Sequence, residues 1–184
     1  SIYGGSKAEQ ESRIESELKG LKAILGDIIY SEKDDTLESA VGDLLKAYGK
    51  TRSTAESCTG GMISSLITSV PGSSEYFLGS VTSYANGVKE NVLGVPAEII
   101  AEHGAVSSEC VAAMAEGVRR ITSSDYSVAT SGIAGPGGGS EEKPVGTVWI
   151  GVSSDNGTET FRLKFNSDRK RNIERFSSSA LHIL

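Results

Sequence analysis

The chain has 184 residues, 38% of them hydrophobic, which suits one ordinary domain with a sizeable core and a possible appendage. Its formal net charge of -6 denies it the overall basic field of a nucleic-acid binder, and no apolar run approaches the roughly 20 residues needed to span a membrane. The two cysteines, Cys58 and Cys110, form neither a disulfide framework nor a zinc spacing, and the two histidines, His103 and His182, lack metal-ligating neighbours; free thiols in a reducing cytoplasm and no metal are the expectation.

The chain opens Ser1-Ile2-Tyr3-Gly4-Gly5, with no Met and no signal-peptide pattern, which suggests a processed end or a fragment of something longer. Ile14, Leu18, Leu21, Leu25 and Ile28 recur at intervals of four and three, a helical stripe that should stop near Gly26. It either packs on the domain or is the tail of a preceding one. Residues 31–35 are polar and read as a linker. Asp35 with Glu38 then forms a capping pair for a helix whose inner face is expected to be Leu37, Val41, Leu44 and Tyr48, and which Gly49 stops.

Thr51–Glu56 is short and β-prone. A helix is expected from Thr59, with Met62, Ile63, Leu66, Ile67 and Val70 inward, ended by Pro71-Gly72. Phe77–Ala85 reads as a strand, Asn86–Leu93 as a short helical or turn segment, and Pro96 as the first turn of a helix ending at Gly104. Ser107 caps a longer helix with a Val111, Met114, Val118 and Ile121 stripe. Tyr126–Ser131 is a strand, 132–144 a glycine-rich loop, and Val145–Ser153 and Thr158–Phe165 two strands joined at Asp155-Asn156-Gly157, whose Asn and Gly accept positive φ. Asp168 caps a final helix with Ile173, Phe176, Ala180 and Leu184 inward. This order predicts an α/β fold, a three-layer α/β/α sandwich with a mixed, mostly parallel sheet and a C-terminal hairpin. Ligands of such sheets sit beyond the carboxyl ends of the strands, where Ser57, Tyr84 and Ser131 fall together.

Ser57-Cys58-Thr59-Gly60-Gly61 joins a strand to a helix start. Glycines there permit tight turning, and free amides favour an anion, so the segment suits a phosphate cradle, a nucleophilic serine beside an oxyanion hole, or simply a capped helix start. It matches neither the P-loop nor the G-x-S-x-G elbow. A nucleophilic serine needs a base, and with neither histidine in a suggestive context, a desolvated Lys89 is the candidate, with Tyr84 able to hydrogen-bond either partner. The Ser131–Gly139 loop is tethered by Lys143-Pro144 and is a candidate functional loop. Asp168-Arg169-Lys170-Arg171 puts basic residues in a first helical turn, against the helix dipole, a conflict that an anionic ligand such as a phosphate would remove.

Five ordered motifs, A-E-S-C-T-G-G (55–61), S-Y-A-N-G-V-K (83–89), H-G-A-V-S (103–107), S-G-I-A-G-P (131–136) and E-E-K-P-V-G-T-V-W (141–149), together resemble the CinA C-terminal domain family, the nicotinamide-nucleotide amidohydrolases or NMN deamidases, over about Thr36 to Leu184. The resemblance implies hydrolysis of the carboxamide of nicotinamide mononucleotide to nicotinate mononucleotide and ammonia, without a cofactor. It implies Ser57 as nucleophile and Lys89 as base, assisted by Tyr84. Ser131 falls where the family has a small hydroxyl residue and Arg169 where it has an arginine placed for the substrate phosphate; Thr59, Gly60, Gly61, Asn86, Gly132 and Gly135 join them as substrate-binding positions. A cytoplasmic homodimer is expected. Residues 1–34 look like the end of a preceding domain and 35–184 like the amidohydrolase domain. In longer family proteins an N-terminal domain similar to molybdopterin-binding proteins carries a separate ADP-ribose pyrophosphatase activity. One departure is Gly137 after Pro136, where relatives often carry Asp. Two rivals stand beside this reading: a non-catalytic nucleotide-binding or interaction module linked to competence or DNA damage, and an amidase for a different small amide.

Overall fold

Four of the five residues of β1 (Arg52–Glu56) are polar, yet all five are buried. A run so polar forms a central strand only because neighbouring strands take its backbone groups and side-chain partners take most of its polar atoms. Ser53 Oγ pairs with Ser124 Oγ at 2.8 Å and Thr54 Oγ1 donates to Ser80 Oγ at 2.8 Å. The Arg52 guanidinium is the exception: it is fully buried, its nitrogens have no hydrogen-bond partner among the described residues, and burial lowers its pKa to about 10.

The structure, a computed structural model, describes residues 4–26, 29–32 and 35–183. Ser1–Tyr3, Ile28 of the first stripe, Lys33 and Asp34 of the linker and Leu184 of the last stripe lie outside the described residues. The chain divides into two units, Ser1–Thr36 and Leu37–Leu184. In the first, α1 (Lys7–Leu25) starts at a capping box between Ser6 and Glu9 and stops at Gly26. Its apolar positions Ile14, Leu21 and Leu25 are exposed.

The second unit is built on a five-stranded sheet in the order β2-β1-β3-β4-β5, with β2 (Phe77–Thr82), β3 (Tyr126–Gly132), β4 (Thr147–Ser154) and β5 (Gly157–Lys164). β1, β2 and β3 are parallel; β4 runs antiparallel to β3 and to β5. The expected mixed sheet with a closing hairpin is therefore present. Alternation along the strands splits the core in two. On one face Val128, Val148 and Ile150 pack with Leu45, Ile63, Ile67, Phe176, Ala180 and Leu181, from α2 (Leu37–Ala47), α3 (Met62–Thr68) and α7 (Arg169–Ile183). On the other, Ala55, Ala129 and Trp149 pack with Val111, Met114 and Val118 of α6 (Ser108–Thr122), and with Leu93 and Val95 between α4 (Asn86–Asn91) and α5 (Ala97–His103).

Several boundaries and faces differ from the sequence expectation. The α2 helix starts at Leu37, and its buried side is Gly42 and Leu45, not Leu44 (60% exposed) or Tyr48 (75% exposed). The stripe rotates because Gly42 lets the helix approach Tyr76, whose hydroxyl lies 2.5 Å from where a Cβ at position 42 would be. The α3 helix starts at Met62 rather than Thr59, since Gly60 (φ 64) and Gly61 (φ 101) are both left-handed. Ile121 closes the α6 stripe on paper but is 49% exposed. The caps at Ser107, which accepts from the Cys110 amide, and at Asp168, which accepts from the Arg171 amide at 3.0 Å, are where the sequence places them.

Candidate active site

The carboxyl ends of β1, β2 and β3 lie level, Glu56 pairing with both Thr82 and Thr130. Chain leaving β1 turns at once. Ser57 donates its amide to the Thr130 carbonyl (3.0 Å), and its own carbonyl accepts from Gly60 (3.2 Å), closing a turn whose last residue is left-handed. Thr59 Oγ1 pairs with Thr130 Oγ1 at 2.8 Å and pins that turn to β3. Ser57 is thereby presented, half-buried, at the end of the central strand.

Chain leaving β2 supplies the second group. Ser83 donates its amide to the Glu56 carbonyl at 2.8 Å, extending the parallel pairing past the strands. Helix α4 follows and carries Lys89 back under it, anchored by buried Leu93 and Val95. Lys89 is 1% exposed. Its Nζ lies 3.2 Å from Ser57 Oγ, 2.6 Å from the Ser83 carbonyl and 3.3 Å from the Tyr84 carbonyl. No carboxylate among the described residues forms an ion pair with it. Burial lowers its pKa below the ordinary lysine value, because the charged form loses its hydration. A neutral amine has two N–H bonds and one lone pair. Two carbonyls and one hydroxyl surround Nζ; they suit that inventory, and equally the three N–H bonds of the charged form.

Cys58, next to Ser57, is a poor rival nucleophile. It faces the core at 7% exposure, and burial pushes its thiol up to about 12.

The remaining sequence-predicted residues divide into two groups. Arg169, Tyr84 and Gly135 come together: Arg169 Nη1 donates to the Gly135 carbonyl (2.7 Å) and Nη2 to the Tyr84 hydroxyl (3.2 Å). The Tyr84 hydroxyl thus pairs with Arg169, and no hydrogen bond joins it to Ser57 or Lys89; only the Tyr84 backbone reaches Lys89. Asn86 is exposed at the start of α4. Two other positions are committed to the scaffold. Ser131 Oγ donates to the Ala105 carbonyl at 2.6 Å and is buried. Gly132 leaves room for the next strand, since a Cβ there would lie 2.6 Å from the Thr147 carbonyl oxygen.

The helix-start amides are also spoken for. The Gly61 and Ile63 amides donate to Glu56 Oε2 at 3.0 Å, and the Ser64 amide to Oε1 at 2.8 Å. The phosphate-cradle expectation for that segment therefore fails at Gly61, and Gly60 spends its amide on Ser57. Glu56 was invisible to the sequence reading because its partners are backbone amides in the next element. Asn172 was missed because its partner is a backbone carbonyl in a segment far off in sequence; it is buried and holds the glycine-rich loop by donating to the Ala134 carbonyl at 3.0 Å. Among the described residues no group of three or more His, Cys, Asp or Glu side chains converges on a metal-sized site.

Comparison with known proteins finds relatives of this chain. A family model described as the CinA C-terminal domain matches residues 34–184. The chain is 42% identical over 181 residues to a CinA-like protein of Cytophaga hutchinsonii, covering 98% of this chain and 43% of that protein. It is 48% identical over 171 residues to a CinA-like protein of Parasynechococcus marenigrum, covering 91% of this chain and 40% of the relative. The chain spans about two-fifths of the length of the curated relatives it matches. Among solved structures, the competence/damage inducible protein CihA from Agrobacterium tumefaciens superposes with a TM-score of 0.78 at 35% identity, covering 80% of this chain and 90% of that one. The competence damage-inducible protein A from Klebsiella pneumoniae gives a TM-score of 0.78 at 35% identity, covering 80% and 91%.

Proposed function

The chain belongs to the CinA C-terminal domain family, and from that membership we propose that it hydrolyses the carboxamide of nicotinamide mononucleotide to nicotinate mononucleotide and ammonia. The observation that carries the reading is the contact between Ser57 and a buried Lys89 that has no counter-ion among the described residues. Such a lysine is poised to lose its proton, and a serine beside it is poised to give one up.

In this reading neutral Lys89 keeps its two N–H bonds on the Ser83 and Tyr84 carbonyls and turns its lone pair to Ser57. It takes the Ser57 proton as Oγ attacks the carboxamide carbon. The oxyanion is met by the Cys58 and Thr59 amides, which donate to no backbone carbonyl among the described residues. Lys89 returns the proton to the amide nitrogen, the C–N bond breaks and ammonia leaves. Water then attacks the acyl-enzyme, giving its proton to Lys89, and the acid departs with Ser57 restored. Arg169 faces the nucleotide phosphate, presented by Tyr84 and Gly135. No step calls for a cofactor.

Because relatives are longer, this chain is read as the C-terminal part of a larger protein with an N-terminal pyrophosphatase domain, working as a homodimer in cytoplasmic pyridine nucleotide recycling. The test is ammonia release from nicotinamide mononucleotide by the chain and by Ser57→Ala. Release by the former alone is expected. Tight nucleotide binding without release would replace the reading with that of a binding module, and release by both would remove Ser57 as nucleophile.

A further inference from the structure

Glu56 takes no part in the reaction proposed above, yet it is fully buried and directly precedes Ser57. Its two oxygens receive four donors at 3.0 Å or less: the Gly61 and Ile63 amides on Oε2, and the Ser64 amide and hydroxyl on Oε1, the last two both at 2.8 Å, while Thr54 Oγ1 stands farther off, 3.5 Å from Oε1. All four belong to residues 61–64, the segment that opens α3. The chain between the carboxylate and these donors is the Ser57–Gly60 turn, so the clamp closes that turn into a ring. The same residue is tied to the other half of the site by its backbone. Its carbonyl accepts from the Ser83 amide, and the Ser83 carbonyl accepts from Lys89 Nζ.

We propose that Glu56 is a positioning residue, whose buried carboxylate closes the Ser57–Gly60 turn onto the first turn of α3 and so sets Ser57 Oγ within reach of Lys89 Nζ. The proposal rests on the Ser57–Lys89 reading. It also explains how an anionic substrate is oriented. Three converging amides and a hydroxyl make a position for one anion, and the protein's own carboxylate holds it. A nucleotide phosphate is excluded from α3 and left to Arg169, which fixes the substrate's direction across the serine.

The test compares Glu56→Gln and Glu56→Ala with the unaltered chain, with folding checked by thermal melts. Ammonia release gives kcat and KM, and mass spectrometry gives the rate at which a fluorophosphonate probe labels Ser57. Glutamine keeps the size but turns an N–H₂ group toward amide donors. Its kcat and labelling rate are expected to fall about 10- to 100-fold, the cost of misplacing a reacting group by an ångström or less, with KM changed less than about threefold. In Glu56→Ala, added formate is expected to occupy the vacated carboxylate position and restore labelling in a saturable way, with no effect on the unaltered chain.

Unaltered kcat in Glu56→Gln, a rise in KM alone, or a folded Glu56→Ala that formate does not rescue would each overturn the proposal. If Glu56→Ala fails to fold, the kcat-against-KM split of Glu56→Gln decides. A chain that labels at Ser57 but releases no ammonia would sink the substrate reading, and labelling rates alone would then judge Glu56. A Ser57 that neither labels nor turns over substrate would leave no reactive serine to position, and would end the proposal.

Discussion

Lys89 is buried, and no carboxylate among the described residues forms an ion pair with its Nζ. The folded protein therefore binds the Nζ proton more weakly than the unfolded chain does, whose lysine titrates near the ordinary 10.5. The sign follows. The cost of charging Lys89 is fully present below its folded pKa, shrinks as pH rises from there, and is gone above the ordinary value. Activity should track the neutral amine, so kcat/KM should climb with pH on a limb whose midpoint lies below 10.5. Lys89→Met should abolish that limb, lower kcat about 10²- to 10⁴-fold as expected for loss of a general base, and melt at a higher temperature than the unaltered chain at neutral pH. A pH–rate profile alongside melts of both proteins checks all three. A limb that survives in Lys89→Met belongs to another group.

Between β1 and α3 the chain must reverse direction within a few residues, and it does so through consecutive left-handed glycines. At Gly61 a Cβ would find its nearest neighbour, Thr82 Oγ1, at 3.6 Å, an ordinary contact. Space is not the constraint there; conformation is, because φ is 101°. Gly61→Ala should therefore cost about 1–2 kcal/mol, the left-handed penalty for an L side chain. It should also lower kcat, since the Gly61 amide is one of the donors that Glu56 holds. Denaturant melts and ammonia release on the same variant measure both. A neutral effect on stability would mean that the turn relaxes to another geometry. The pair of glycines was plain in the sequence as a turn, but the start of α3 was not, because Ser57 and Thr59 look like caps and only the handedness at Gly60 and Gly61 moves the helix on to Met62.

Across the whole domain, Arg169 joins segments far apart in sequence, reaching the chain after β2 at Tyr84 and the glycine-rich loop at Gly135. It stands where α7 begins, so it ties the last helix to the chain that leaves the parallel strands. If it faces the nucleotide phosphate, Arg169→Ala should raise KM about 10- to 100-fold, the value of one or two charge-assisted hydrogen bonds, and leave kcat within about threefold. Steady-state kinetics separates the two constants. A fall in kcat with KM unchanged would move Arg169 from binding to the chemical step. The opposed first-turn charges at Arg169-Lys170-Arg171 singled out this turn in the sequence, whereas the pairing of Arg169 with the Tyr84 hydroxyl did not show there.

The alternation of strands and helices, the hairpin at Asp155-Asn156-Gly157, the caps at Ser107 and Asp168, and the five motifs of the family could all be read from the residues in order, because each is a local pattern written within a few residues. The same reading also brought Ser57, Tyr84 and Ser131 to the same edge of the sheet, since parallel strands put their carboxyl ends together. What those residues touch was settled by the packed fold. It put Lys89 against Ser57, committed Ser131 to the Ala105 carbonyl, gave the Tyr84 hydroxyl to Arg169, and filled the α3 amides with Glu56. It also buried the polar strand β1. These outcomes depend on side chains meeting backbone groups in other elements, and on which face of a strand or helix turns inward by one residue. No spacing rule carries that information, because it arises only when the layers close and water leaves.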